Sequence, residues 1–213
     1  TGVAPERIIL SAAIKTDGLL RLAVSRGVTI SCDSRAESRR IAAIAQALDT
    51  TAHVAPRLAP DPDSLPPTRF GERLPAWRQA EWPQELRVAG VHVHLHGYSE
   101  ADRRTALAEA IALIEHVRAL GQPAGFIDIG GGVPMSYLES REQWEYYLER
   151  IASQRTGTGK PFTWKADPLS NTYPFWQEPT RGQWLNQLLS GEVPGYGNAG
   201  GALRERDIAL HLE

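Results

Sequence analysis

Gly125-Phe126-Ile127-Asp128-Ile129-Gly130-Gly131-Gly132-Val133 is an apolar segment that runs into three glycines. A buried strand that ends in consecutive glycines lets backbone N–H groups approach an anion closely. Upstream stands His92-Val93-His94-Leu95-His96, in which imidazoles alternate with apolar residues. Alternation places all three histidines on one face of a strand. Two consecutive βα units would then offer a phosphate cradle and an imidazole, a pairing that suits a phosphorylated cofactor. A glycine triplet alone also fits a plain flexible turn, and strand histidines also fit core or rim positions. The combination and its order carry the functional reading.

Working outward, the pattern alternates between strand and helix. Strands are predicted at 7–13, 28–32, 52–58, 88–96, 125–129 and 206–212. Pro56 weakens the third of these, because proline has no N–H for a ladder. A helix over 17–26 has Leu19, Leu20, Leu22 and Ala23 as its inner residues and Gly27 as its stop. Ser34-Arg35-Ala36-Glu37 is a capping box, followed by Ile41, Ile44, Ala45 and Leu48 at helical spacing. Residues 60–67 form a proline-rich loop, and 75–80 a short helix. Ser99 caps a long helix with Leu107, Ile111, Ile114, Val117 and Leu120 inward and Gly121 as its stop. Residues 141–153 form another helix, containing Trp144, Tyr147, Leu148 and Ile151.

Six strands alternating with helices imply a parallel sheet. The fold class read from this is α/β, a (β/α)8 TIM-type barrel, with a doubly wound open sheet as the alternative. A complete barrel has eight strands and about 250 residues. Six strands in 213 residues therefore read as an incomplete portion. The chain starts at Thr1 and its only methionine is Met135, so the missing strands are expected before Thr1 and after Glu213.

Composition narrows the function classes. At 42% hydrophobic residues the chain can bury a core. A net charge of -2 and a pI near 6.3 give no global attraction to nucleic acid or membrane. No apolar run reaches membrane-spanning length. The single Cys32 excludes an intrachain disulfide framework and fits a reducing compartment, and no signal peptide is visible. A cytoplasmic location is expected. Between 156 and 201 the rhythm breaks. Trp164, Tyr173, Phe175, Trp176, Trp184 and Tyr196 fall there, interrupted by five prolines, and 195–201 reads as mobile. This aromatic, proline-rich insertion suits a lid, a dimer contact or a structural element.

The chain resembles the alanine-racemase-fold (fold-type III) pyridoxal-phosphate enzymes, in the diaminopimelate, ornithine and arginine decarboxylase branch. The resemblance rests on Gly90-Val91-His92-Val93-His94 followed, one helix later, by Asp128-Ile129-Gly130-Gly131-Gly132. Supporting it are Glu6-Arg7-Ile8-Ile9, Lys15-Thr16-Asp17, Cys32-Asp33-Ser34, Arg57-Leu58-Ala59-Pro60 and Arg69-Phe70-Gly71. The final His211-Leu212-Glu213 looks like the start of the branch's Glu-Pro-Gly-Arg motif. The resemblance covers nearly the whole chain except the aromatic insertion. Residues 1–213 are thereby expected to be a partial pyridoxal-phosphate-binding barrel domain with an insertion around 156–201.

The resemblance implies roles. His94 would stack on the pyridine ring, and Gly130, Gly131 and Gly132 would hold the phosphate. Glu213 would face the pyridine nitrogen, and Arg57 would lie near the cofactor. His94 and Glu213 are thus the expected catalytic residues, pyridoxal 5'-phosphate the cofactor, and a basic or dibasic amino acid the substrate of a decarboxylation. A homodimer is expected, with no nucleic-acid or membrane partner. Three features depart from the branch. No Ala-Val-Lys-Ala-Asn-like motif is present, and Lys15, Lys160 and Lys165 are the only lysines. The Schiff-base lysine is therefore expected outside this chain. The C-terminal β-domain is missing. After His94 the usual Val-Gly-Ser is replaced by Leu95-His96-Gly97.

Several residues carry plainer readings. Lys15 reads as an exposed lysine where a helix begins. His92 and His96 read as barrel-lining polar contacts, Asp128 as a loop-orienting or ligand-touching group, and Cys32 as a small buried residue. Three other functions stay open. They are a pyridoxal-phosphate-dependent racemase, a non-catalytic binder of the cofactor, and a metal-dependent hydrolase that uses the His-x-His face.

Overall fold

Residues 2–170 and 175–212 are described by the computed structural model, and in them short strands alternate with helices. The chain runs through β1 (Ile9–Leu10), α1 (Asp17–Arg26), β2 (Thr29–Cys32), α2 (Arg35–Ala47) and β3 (Ala52–Leu58). Then come α3 (Leu74–Trp77), β4 (Leu86–Val88), β5 (Gly90–Val93), α4 (Glu100–Ala119) and β6 (Phe126–Asp128). The remainder is α5 (Arg141–Arg155), β7 (Thr163–Trp164), β8 (Asp167–Pro168), α6 (Arg181–Ser190), β9 (Glu192–Val193), β10 (Gly197–Asn198), α7 (Ala199–Glu205) and β11 (Ala209–His211). Two compact units divide it: 1–132 together with 187–213, and 133–186.

In the first unit the main sheet has the order β1-β2-β3-β5-β6-β11, with β4 also on β3, and every pairing is parallel. Spatial order follows chain order. A doubly wound sheet would instead reverse at a switch point. The sheet also curls: Arg7 and Ile9 at its first edge share a cleft with Asp128 and His211 near its last. This is the α/β barrel arrangement expected from the repeat of βα units, with seven strands among the described residues.

The strands are apolar because both sheet faces are covered. Ile30, Cys32, Val54, Ala55, Val88, Val91 and Ile127 are all buried. Burial, together with the nearby negative charge of Glu37, pushes the Cys32 thiol far above its ordinary pKa. Pro56 is tolerated because β3 changes partner beside it. Residues Ala52 to Val54 pair with β4, and Arg57 and Leu58 with β5. The same handover splits the strand predicted at 88–96. β4 ends at Val88, β5 begins at Gly90, and it stops at Val93.

Helix boundaries follow their caps. The Thr16 hydroxyl accepts from Leu19 N–H, and Ser34 Oγ accepts from Glu37 N–H at 3.1 Å. Ser99 Oγ accepts from Asp102 N–H at 3.1 Å. The buried stripe of α1 is Leu20, Ala23 and Val24, at i, i+3 and i+4. Leu19 and Leu22 face outward at 37% and 54% exposure, which corrects their inward assignment. Leu48 and Leu120, the last residue of each predicted stripe, are exposed for the same reason: they lie past the final turn.

The second unit is built on α5, capped by Ser140. Trp144 and Tyr147 stack at 5.4 Å, and Phe175 meets both edge-on. The segment 156–201 set apart by its aromatics falls in both units, 156–186 in the second and 187–201 in the first. The stretch 195–201, expected to be mobile, contains β10 and the start of α7. Asn198 caps α7 by accepting from Gly201 N–H at 2.7 Å. Tyr173 lies outside the described residues. No described helix is long and apolar enough to cross a membrane.

Candidate functional site

Four strands of the first unit deliver polar side chains and the glycine turn from their C-terminal ends. These are Asp33 after β2, Arg57 on β3, His92 and His94 at the end of β5, and Asp128 with the glycine turn at the end of β6. Parallel pairing of β5 with β6 sets His92 opposite Asp128. The ends of these strands are the place where parallel barrels gather their sites.

Asp128 organises the glycine turn. It is 1% exposed, and His92 Nδ1 lies 2.8 Å from its Oδ2. Its other oxygen accepts from Gly130 N–H at 2.9 Å. An ionised carboxylate only accepts, so Nδ1 carries the proton of the first bond. Of the two roles open to Asp128, the structure gives it the loop-orienting one. His92 is buried, whereas His94, one step beyond the strand, is exposed. The two imidazoles lie near-parallel, with centroids 6.2 Å apart.

Gly130 and Gly132 have φ of +73° and +89°. A Cβ on Gly130 would fall 2.6 Å from His94 Nδ1 and 3.0 Å from its Cα. A Cβ on Gly132 would fall 2.7 Å from the Tyr98 ring. The turn therefore needs glycine both for backbone conformation and for close packing against the loop after β5. The three glycines differ in what their amides can do. Gly130 N–H is held by Asp128. Gly131 N–H reaches His94 Nδ1 at 3.4 Å, well beyond the usual 2.9–3.0 Å of such a bond. Gly132 N–H makes no hydrogen bond among the described residues. Gly131 and Gly132 thus fit a phosphate as donors, and Gly130 fits as the hinge that presents them.

Arg57 is 7% exposed and donates from Nη1 to Asp33 Oδ1 at 3.3 Å. Its guanidinium lies 4.7 Å from the centroid of Phe70. Asp33 is itself fixed, because its N–H donates to Glu37 Oε2 at 2.8 Å. Lys15 Nζ donates to the same oxygen at 2.8 Å. Lys15 is 3% exposed, so its reading as a solvated lysine is corrected: Glu37 offsets the loss of hydration. The capping-box glutamate is the sequence signal that could have found this pairing. Trp77, fully buried, donates from Nε1 to the Arg57 carbonyl at 2.8 Å. A Trp77→Phe variant keeps most of the ring but leaves that carbonyl one donor short. It should lower stability by about 1–2 kcal/mol, read from the denaturant midpoint. A loss below about 0.5 kcal/mol would show the bond to be incidental.

A cavity of about 530 Å³ lies beside this cluster, lined by Arg57, Phe70, His94, His96 and Asp102 among others. Its lining does not include the glycine turn. Arg57 and His94 are therefore the expected site residues that share a cavity, and the turn approaches His94 from the other strand. Glu213 lies outside the described residues. Among the described residues no group of three or more His, Cys, Asp or Glu is gathered as metal ligands.

The family described as "Pyridoxal-dependent decarboxylase, pyridoxal binding domain" matches residues 1–161. A diaminopimelate decarboxylase of Aquifex aeolicus is 27% identical over 152 residues, 64% of this chain and 36% of the relative. An uncharacterized protein of Sinorhizobium fredii is 33% identical over 128 residues, 60% of this chain and 26% of the relative. Among solved structures, a point mutant of diaminopimelate decarboxylase of Helicobacter pylori complexed with L-lysine aligns over 100% of this chain and 46% of its own. Its TM-score is 0.66 and its identity 19%, a likeness of fold. The chain thus spans about a quarter to a third of the length of these two curated relatives.

Proposed function

This chain belongs to the pyridoxal-dependent decarboxylase family, through its pyridoxal binding domain, and on that premise we propose that the protein is a pyridoxal-phosphate-dependent decarboxylase of a basic or dibasic amino acid. The observation that carries the proposal is the meeting of His94 with the glycine turn at the C-terminal ends of β5 and β6. Bound there, pyridoxal phosphate supplies an electron sink for the charge left on the substrate carbon when carbon dioxide departs.

The residues divide the work. Gly131 and Gly132 donate backbone N–H groups to the phosphate, and Gly130, held by Asp128, sets their approach. His94 lies against the cofactor ring. Arg57, its carbonyl and guanidinium both fixed, presents a cation at the same cavity. Glu213 holds a proton at the pyridine nitrogen, in the role the family resemblance gives it. The substrate class follows the Aquifex aeolicus relative, which is named for diaminopimelate. In this proposal residues 1–213 form the barrel domain with an aromatic insertion, and the protein acts as a cytoplasmic homodimer.

The test uses the full-length protein supplied with pyridoxal phosphate. Carbon dioxide release is measured from lysine, ornithine, arginine and diaminopimelate, beside a chiral assay on the same substrates. Release from at least one of them is expected. Inversion at the α-carbon without carbon dioxide would make the protein a racemase and leave the cofactor assignment standing.

A further inference from the structure

Arg103 is the fourth residue of α4, four positions past its N-cap Ser99. A cation is out of place there, because the backbone dipole at a helix N-terminus favours negative charge. Its neighbours Glu100 and Asp102 obey that preference. Arg103 is nonetheless 2% exposed, and a buried charge needs partners that offset its lost hydration. Nη1 donates to the Gly97 carbonyl at 3.0 Å and Nη2 to the Gly131 carbonyl at 3.1 Å. One side chain thus ties the loop after β5 to the glycine turn after β6. The guanidinium is planar, so both carbonyls are fixed relative to one another.

The far side of each peptide is where this matters. In a trans peptide the C=O and N–H point in opposite directions. Turning the Gly131 carbonyl toward Arg103 turns the Gly132 N–H away from it. Turning the Gly97 carbonyl toward Arg103 does the same to the Tyr98 N–H. The Gly132 N–H is the amide that makes no hydrogen bond among the described residues.

We propose that Arg103 is a positioning residue for the cofactor phosphate, aiming the amides of two loops by holding the carbonyls behind them. The proposal rests on the pyridoxal-phosphate reading above. Burial lowers the pKa of Arg103 from its ordinary value, with Tyr98 and Asp102 opposing the shift. A guanidinium remains charged in proteins, so it also places a cation behind the cradle.

Pyridoxal, which lacks the phosphate, separates this role from a merely structural one. Dissociation constants for pyridoxal phosphate and for pyridoxal are measured on the full-length protein, Arg103→Gln and Arg103→Lys, with thermal melts of each without cofactor. Arg103→Gln should weaken pyridoxal phosphate about 10- to 100-fold while pyridoxal changes by less than about 3-fold. Arg103→Lys keeps the charge but not the fork, and should recover part of the loss. If Arg103→Gln does not fold, Arg103→Lys decides alone, with a selective loss of about 5-fold or more expected. Equal losses for the two ligands, or none in a folded variant, would overturn the positioning role and leave the cofactor assignment intact. Failure of the unsubstituted protein to bind pyridoxal phosphate would overturn both.

Discussion

Replacing Asp128 by alanine should destabilise the protein by about 2–6 kcal/mol, the cost of leaving two buried polar groups unsatisfied. Two buried donors lose their acceptor together: His92 Nδ1 and the Gly130 N–H. Each buried polar group left unsatisfied costs about 1–3 kcal/mol. Water cannot readily replace the carboxylate, because His92 and Asp128 are both 1% exposed. Asp128→Asn is the informative companion. Its amide oxygen can accept one of the two bonds, so it should recover roughly half of the loss. Chemical denaturation of both variants gives the comparison. A loss under about 1 kcal/mol for the alanine variant would mean that the turn does not depend on this carboxylate.

This pairing also shows where sequence reading reached its limit. The barrel was legible because its signals are local. Ser34 and Ser99 cap their helices as their sequence positions predict, and apolar runs mark the strands. The order of βα units then fixed the sheet order. Arg57, His94 and the glycine turn could be named because each belongs to a motif with a recognisable neighbour. The pairings beneath them could not. Lys15 meets Glu37 across 22 positions, His92 meets Asp128 across 36, and Arg103 reaches Gly131 across 28. Such contacts depend on how neighbouring βα units pair in the sheet and leave no periodic trace. Two of them left a hint: Glu37 as the glutamate of a capping box, and Arg103 as a cation where a helix prefers anions. Histidine alternation misled in a specific way. It treats 92–96 as one strand, but β5 ends at Val93, so His92 is buried while His94 and His96 are exposed.

The glycine triplet likewise looks uniform in sequence and is not so in space, and a set of alanine substitutions should expose the difference. Gly130→Ala is expected to cost about 2–5 kcal/mol, from left-handed backbone strain together with overpacking. The strain arises because φ is +73°. The overpacking arises because the new methyl carbon would sit 2.6 Å from His94 Nδ1 and 3.0 Å from His94 Cα. The ring could rotate away, but the Cα is backbone and moves only with the loop. Relief therefore separates His94 from the turn, and affinity for pyridoxal phosphate should fall along with stability. Gly131 is not among the positive-φ glycines, so Gly131→Ala escapes this backbone strain and should cost less than Gly130→Ala. Melting curves and cofactor titrations on the two variants test the ordering. Equal losses at 130 and 131 would show that the contact with His94 is not what demands glycine at position 130.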